Sequence, residues 1–302
     1  MQPIIIALWP VFALLLLGFL ARRSGFPGEA FWQPAEKATY YVLFPALLIE
    51  RLAGAELAGV ASIRLALLVV TLLVVTSLLC CVCKPLLRLS APVFTSFYQG
   101  SVRFNTYVAL AVTSALHGSE GIVLAAIVTA VMIPLLNLFS VLAFVLTSDQ
   151  AFSLRLLLSA LARNPLILAC LTGIALSLSG LGLPLALGSV MELLGRMALP
   201  LGLLAVGAGL NLRALRKGGR ALTAASFIKL LLLPCLAFLL SRLWGLEAVG
   251  TSVLVIFAAV PTATSAYILA RQMGGDADLM AGIITAQTLI SILTLPLVLV
   301  VL

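Results

Sequence analysis

Charge is what this sequence has least of. Asp, Glu, Lys and Arg make up 9% of its 302 residues, while 63% are hydrophobic. A soluble domain carries about 25% charged residues. So few polar groups cannot cover a water-facing surface, which excludes a soluble globular protein and makes lipid the solvent. Histidine occurs once, at His117, and there is no HExxH, no GxSxG and no Walker-type glycine loop. Neither an enzyme, nor a cofactor or metal site, nor direct ATP-driven transport is expected. The five cysteines, Cys80, Cys81, Cys83, Cys170 and Cys235, are odd in number and lie in apolar segments, which argues against a disulfide framework. Cys80 and Cys83 form a CxxC without partners and read as ordinary helix-end cysteines. No long polar domain or low-complexity stretch interrupts the chain, so its function must lie inside the membrane part.

What is present is a series of apolar runs, each about the 20 residues that a bilayer-crossing helix needs. Charged or Gly/Pro-rich breaks divide them into ten expected spans: 3–21, 37–54, 61–83, 94–116, 120–147, 164–181, 185–210, 221–242, 248–271 and 278–301. The first is read as a retained span, because Arg22 and Arg23 follow the apolar stretch instead of preceding it as in a signal peptide. With the N-terminus outside, the cytoplasmic loops hold Arg22, Arg23, Lys37, Lys84, Arg88, Arg155, Arg163, Arg213, Arg216, Lys217, Arg220 and Arg271. The outer side then holds only Arg51, Arg64 and Arg242. That bias places both termini outside by the positive-inside rule. The net charge of +8 therefore reflects topology and contact with anionic lipid, not nucleic acid.

The two halves resemble each other. Pro10 aligns with Pro165, Gly18 with Gly173, Ser24-Gly25 with Ser179-Gly180 and Pro45 with Pro200, every pair 155 residues apart. Residues 125–130 (AAIVTA) match residues 281–286 (AGIITA) at an offset of 156. Residues 1–150 and 151–302 thus read as two five-span repeats. Five is odd, so the second enters the membrane from the opposite face, the inverted-repeat plan of many secondary transporters. The expected fold is an all-α polytopic membrane protein of ten transmembrane helices.

The fourth and ninth spans are the equivalent pair, and both are polar at mid-span: Gln99-Gly100-Ser101-Val102-Arg103-Phe104-Asn105-Thr106 in one, Val260-Pro261-Thr262-Ala263-Thr264-Ser265 in the other. Pro261 lacks an N–H and breaks its helix. Asn105 falls opposite Pro261, and Thr106 opposite Thr262. Both helices are expected to unwind there and to cross. Half-helix N-termini would then offer N–H donors and positive dipole ends to an anion, with Asn105, Thr106, Thr262, Thr264 and Ser265 adding neutral hydrogen-bonding groups. The competing reading is a proline kink with polar residues bonded to neighbouring helices. Arg103 is costly in a span; it either binds a carboxylate bidentately, or snorkels or pairs. Lys229, about a third of the way along its span, either has a functional role or snorkels. Asn137 and Gln287 are amides deep in apolar runs, placed either on the cavity or in interhelical hydrogen bonds. Glu192 and Arg196 are spaced to pair. Pro45 and Pro200 read as symmetric kinks, Ala205 and Gly209 as a small-residue packing pair, and His117 as exposed in an outer loop.

These residues resemble the auxin efflux carrier family, which includes the plant PIN carriers and bacterial carboxylate permeases. The matching pieces are residues 18–23 (GFLARR), 44–48 (FPALL), 103–106 (RFNT), 164–167 (NPLI), 198–201 (ALPL), 229–234 (KLLLLP), 259–263 (AVPTA) and 294–297 (TLPL), in order along the whole chain. The long cytoplasmic loop of the plant carriers is lacking, so the chain is similar to a bacterial-type inner-membrane member. The resemblance implies a fold like that of the bile acid/sodium symporters, with spans 1, 2, 6 and 7 as a scaffold and spans 3–5 and 8–10 as a transport domain. It also implies elevator-like transport of organic anions, malate-like or auxin-like acids, dimers through the scaffold, and roles for Asn105, Pro261 and Asn137 at the crossing. Sodium-coupled relatives use intramembrane carboxylates; spans 4, 5, 9 and 10 here have none away from their ends. A sodium- or proton-coupled carrier of another solute is the alternative. A ligand-sensing receptor or a structural subunit is disfavoured by the absence of a signalling domain and by the polar crossing.

Overall fold

The computed structural model describes residues 2–54, 60–147, 162 and 164–301. The join expected at 150/151, and Arg155 and Arg163, lie outside the described residues. Among the described residues the chain is helical throughout, with no strand. The helices are α1 (Gln2–Arg23), α2 (Glu29–Ala38), α3 (Phe44–Ala53), α4 (Val60–Leu86), α5 (Ala91–Val102), α6 (Thr106–Val145), α7 (Pro165–Ser179), α8 (Leu185–Ala208), α9 (Gly219–Phe227), α10 (Leu233–Leu243), α11 (Ala248–Ala259), α12 (Ser265–Met273) and α13 (Ala277–Val301). Six helical stretches among them are long and apolar enough to cross a membrane, and Pro165–Ser179 and Ala248–Ala259 are shorter apolar helices. Helices are what lipid demands, because each backbone N–H and C=O must find its partner inside the protein. The chain is a polytopic membrane protein.

Prolines and glycines set the local departures. A π-helical turn, Thr39–Leu43, joins α2 to α3 and puts Pro45 at the start of α3. A second, Ile228–Leu232, joins α9 to α10 and puts Pro234 at the start of α10. In both, the missing proline N–H and the ring's clash with the preceding turn are relieved by widening that turn. Pro200, by contrast, sits inside the uninterrupted α8, so Pro45 and Pro200 are not the symmetric kinks expected. The helix α6 changes direction at Gly118, whose φ is +55°. His117, at that break, is not exposed in a loop: it is half-buried and its Nε2 lies 2.6 Å from Ser252 Oγ of α11. The Glu192–Arg196 pair forms, at 2.6 Å on an exposed face.

One group of helices packs through glycine. α1 lies along α8, while α3 lies against α7 and α8. A methyl group on Gly18 would stand 2.0 Å from the Leu204 carbonyl oxygen, and one on Gly207 would stand 1.9 Å from that of Leu15. The two backbones therefore touch. A methyl on Gly173 of α7 would meet Leu52 Cβ at 2.6 Å and Ile49 Cα at 3.3 Å of α3. The contact Gly18–Leu204 becomes Gly173–Ile49 if 155 is added to 18 and subtracted from 204. Gly209 does not make the close approach: a methyl there would meet no other helix nearer than 3.7 Å. Gly209 ends its own helix and donates to the Ala205 carbonyl, and the interhelical role passes to Gly18 and Gly207.

The remaining elements surround α5 and α11. α4 and α11 pack on α6, α9 packs on α5, and α10 packs on α11. Phe44 of α3 stacks on Tyr107 of α6 with centroids 4.7 Å apart, joining the two groups. Gly207→Ala forces a methyl into the α1–α8 backbone contact and should cost about 1–3 kcal/mol, the usual cost of overpacking. Gly188→Ala, whose methyl would meet nothing nearer than 3.8 Å, should keep or raise stability, by up to about 1 kcal/mol, since alanine favours the helix over glycine. Thermal unfolding of the two variants in detergent, followed by loss of the monodisperse chromatographic peak, checks the difference.

Candidate functional site

Two helices stop in the middle of the protein. α5 ends at Val102, and Arg103 and Asn105 are extended before Thr106 starts α6. α11 ends at Ala259, Val260 is extended, and α12 starts at Ser265. The two unwound segments meet directly: Asn105 N–H donates to the Pro261 carbonyl at 2.7 Å. The reverse bond cannot form, because Pro261 has no N–H.

Side chains satisfy the backbone that unwinding frees. The Gly100 carbonyl, near the end of α5, accepts from Gln287 Nε2 at 2.7 Å and from Thr262 Oγ1 at 2.9 Å. Gln287 Oε1 in turn accepts from Thr262 N–H at 2.9 Å. One amide on α13 thus ties both unwound segments together. At the end of α11 the Phe257 carbonyl would find its helical partner at residue 261, where proline has none. Lys229 Nζ donates to it at 3.1 Å.

In front of the crossing is a cavity of about 460 Å³, within the range of small-molecule sites. Arg103, Asn105, Thr106 and Asn137 line it, as do Thr264 and Ser265. Pro261, Thr262 and Gln287 are buried behind this wall, and their contacts hold the crossing. The seven residues singled out by sequence therefore divide into four on the cavity and three in its support.

Three helix N-termini converge on the cavity: those of α6, α7 and α12. Asn105 Oδ1 caps α6 by accepting from Tyr107 N–H at 3.0 Å and Val108 N–H at 3.3 Å. Asn164 Oδ1 does the same for α7, accepting from Leu166 N–H at 3.0 Å and Ile167 N–H at 3.2 Å. Capping fixes which way each amide faces, since the oxygen must turn to the helix. For Asn105 it leaves Nδ2 buried and without a protein partner. The guanidinium of Arg103 is buried and hydrogen-bonded to Asn137 Oδ1. That partner is neutral, so the charge is not cancelled.

Sequence reasoning passed over two wall residues. Asn164 carried a cap signature, an Asn directly before a proline that opens an apolar run, yet nothing in the sequence brings it near Asn105. Glu36 of α2 is half-buried, lines the cavity, and accepts from Thr264 Oγ1 at 3.1 Å. It is the cavity's one carboxylate among the described residues. It lies just ahead of the apolar run begun at 37, within the amphipathic α2, whose buried side chains are Trp32 and Ala35.

Helix dipole ends and a positive charge paired only with a neutral amide, gathered around one cavity, suit the recognition of a small anion. The comparisons with known proteins agree with transport. A family described as "Membrane transport protein" matches residues 3–299. The chain is 28% identical over 290 residues to a Methanothermobacter thermautotrophicus protein described as "Uncharacterized transporter", covering 95% of this chain and 94% of that one. It is 30% identical over 135 residues to a Rhizobium meliloti protein described as "Putative malonate transporter", covering 44% of this chain and 42% of that one. The chain is an integral, multi-pass transporter and not an enzyme, and it belongs to the membrane transport protein family that includes the auxin efflux carriers.

Proposed function

We propose that the protein is a secondary carrier of small organic anions, carboxylates of the malonate or malate kind, working by elevator-type alternating access. The observation that carries this reading is the wall formed by Arg103, Asn105 and three helix N-termini around one cavity. The description of the Rhizobium meliloti relative points to the same substrate class. One carboxylate of the substrate takes Asn105 Nδ2 and the Arg103 guanidinium. Asn137 orients that guanidinium, and the dipole ends of α6 and α12 add to the field.

The architecture proposed is ten transmembrane helices in two inverted five-helix repeats, 1–150 and 151–302. The paired contacts Gly18–Leu204 and Gly173–Ile49 support it, as does the meeting of Asn105 with Pro261, 156 residues on. α1, α2–α3, α7 and α8 form the scaffold and the remaining helices the moving part. Dimers form through the scaffold. Both termini lie outside the plasma membrane. On this assignment the cavity, lined by Lys37 and Glu36 of α2 and by Ile268 and Leu269 on the way to Arg271, opens to the cytoplasm.

In proteoliposomes, wild type should show saturable malonate counterflow. Asn105→Ala should lose it by about tenfold or more while remaining folded, since one buried donor and one helix cap go together. Full activity of Asn105→Ala would move the site elsewhere.

A second reading, a proton-coupled carrier, draws on Glu36. Its carboxylate meets Thr264 on the unwound segment, and the other charged or titratable side chains lining the same cavity are Lys37, Tyr40, Tyr41, Arg103 and Tyr107. On that reading Glu36→Gln abolishes accumulation driven by an imposed pH gradient but spares counterflow. Equal loss of both assigns Glu36 to binding alone.

A further inference from the structure

Among the described residues Lys229 is a charged side chain fully enclosed by the protein, with 0% of its surface exposed. It does not line the cavity. Among the described residues no carboxylate lies within ion-pair distance of it. A buried ammonium with no counter-ion is expensive, so its position needs a reason.

The reason lies at the end of α11. The last carbonyls of a helix carry about half a negative charge. Here the helix stops in mid-protein, and the Phe257 carbonyl has lost its partner to Pro261. Lys229 Nζ sits 3.1 Å from that oxygen. The π-helical turn carrying Lys229 packs against α5, α11 and α13, the elements whose breaks and ties make the crossing. The equivalent end of α5 is treated differently: its Gly100 carbonyl takes two neutral donors, from Gln287 and Thr262. In transporters with discontinuous helices, such half-helix carbonyl ends are where sodium is coordinated. We propose that the Lys229 ammonium is a tethered cation occupying the place of a coupling ion at the crossing, so that anion transport needs no sodium. Lys229 is a positioning residue. It neutralises the carbonyl end of α11, and the N-terminal dipole ends facing the cavity then act on the anion without opposition from behind.

This inference rests on the anion-carrier reading, and its test is built so that the two can fail separately. Wild type, Lys229→Arg, Lys229→Ala and Lys229→Gln are compared for thermal unfolding in detergent with sodium, methylammonium or choline chloride at equal ionic strength. The midpoints of wild type and Lys229→Arg should be the same in all three salts. That of Lys229→Ala should rise saturably with sodium or methylammonium relative to choline, as a small cation enters the vacated place. In proteoliposomes, wild-type malonate counterflow should be equal in sodium and in choline. Lys229→Gln keeps a donor for the Phe257 carbonyl but no charge, so it should fold and yet run slower by about tenfold, the worth of a charge-assisted hydrogen bond. Lys229→Arg should restore the rate. A sodium-dependent wild type, a Lys229→Ala midpoint indifferent to small cations, or a Lys229→Gln carrier at full speed overturns the proposal. Should Lys229→Ala not fold, the Lys229→Gln and wild-type comparisons still decide it. Absence of both malonate and malate counterflow by wild type refutes the anion reading and leaves the thermal comparison to judge Lys229.

Discussion

The rest of the structure depends on one constraint: backbone that leaves a helix inside a membrane must still find every hydrogen bond. Four side chains and one backbone bond meet that demand at the crossing. Asn105 N–H reaches the Pro261 carbonyl, Asn105 Oδ1 caps α6, Gln287 and Thr262 close the end of α5, and Lys229 closes the end of α11. Each of these groups is polar and nearly or wholly enclosed, which no apolar packing argument would require. The cavity exists because these ties are made behind it, leaving the front of the crossing free.

The electrostatics follow from the same arrangement. Positive helix ends point forward into the cavity, and the carbonyl ends are capped from the rear. Arg103 adds a full charge, its guanidinium hydrogen-bonded to the neutral amide of Asn137. Glu36 is the opposing group; it enters from α2 and is held by Thr264 of the unwound segment. A carrier that held its anion with ion pairs already complete would have nothing to offer the substrate. Incomplete pairing is what makes the space attractive to an anion.

Much of this was legible in the sequence, for identifiable reasons. Pro261 in an apolar run, and polar residues at the equivalent place in the other half, marked the breaks, because proline chemistry is local. The family resemblance was legible over the whole chain and is upheld by the match to residues 3–299. The division of labour was not legible. Gln287 and Asn137 are both deep amides, and only three dimensions show that one ties backbone and the other holds a guanidinium. Glu36 was hidden because a carboxylate just ahead of an apolar run reads as a loop residue. The π turns before Pro45 and Pro234 left no pattern, since Pro200 has much the same surroundings in sequence and none in structure. The close contacts of Gly18 with Leu204 and of Gly207 with Leu15 escaped because each glycine is meaningful only when its partner helix is known.

The bond from Asn105 to Pro261 spans 156 residues, and that separation bears on how the chain is made. During synthesis α5 and α6 reach the bilayer long before α11 does. Until then the unwound segment between them has an N–H and a carbonyl with no partner in lipid. Those groups find their partners only when the later part of the chain is inserted. The contact that completes the crossing is thus one of long sequence separation, made only when both parts of the chain are in place.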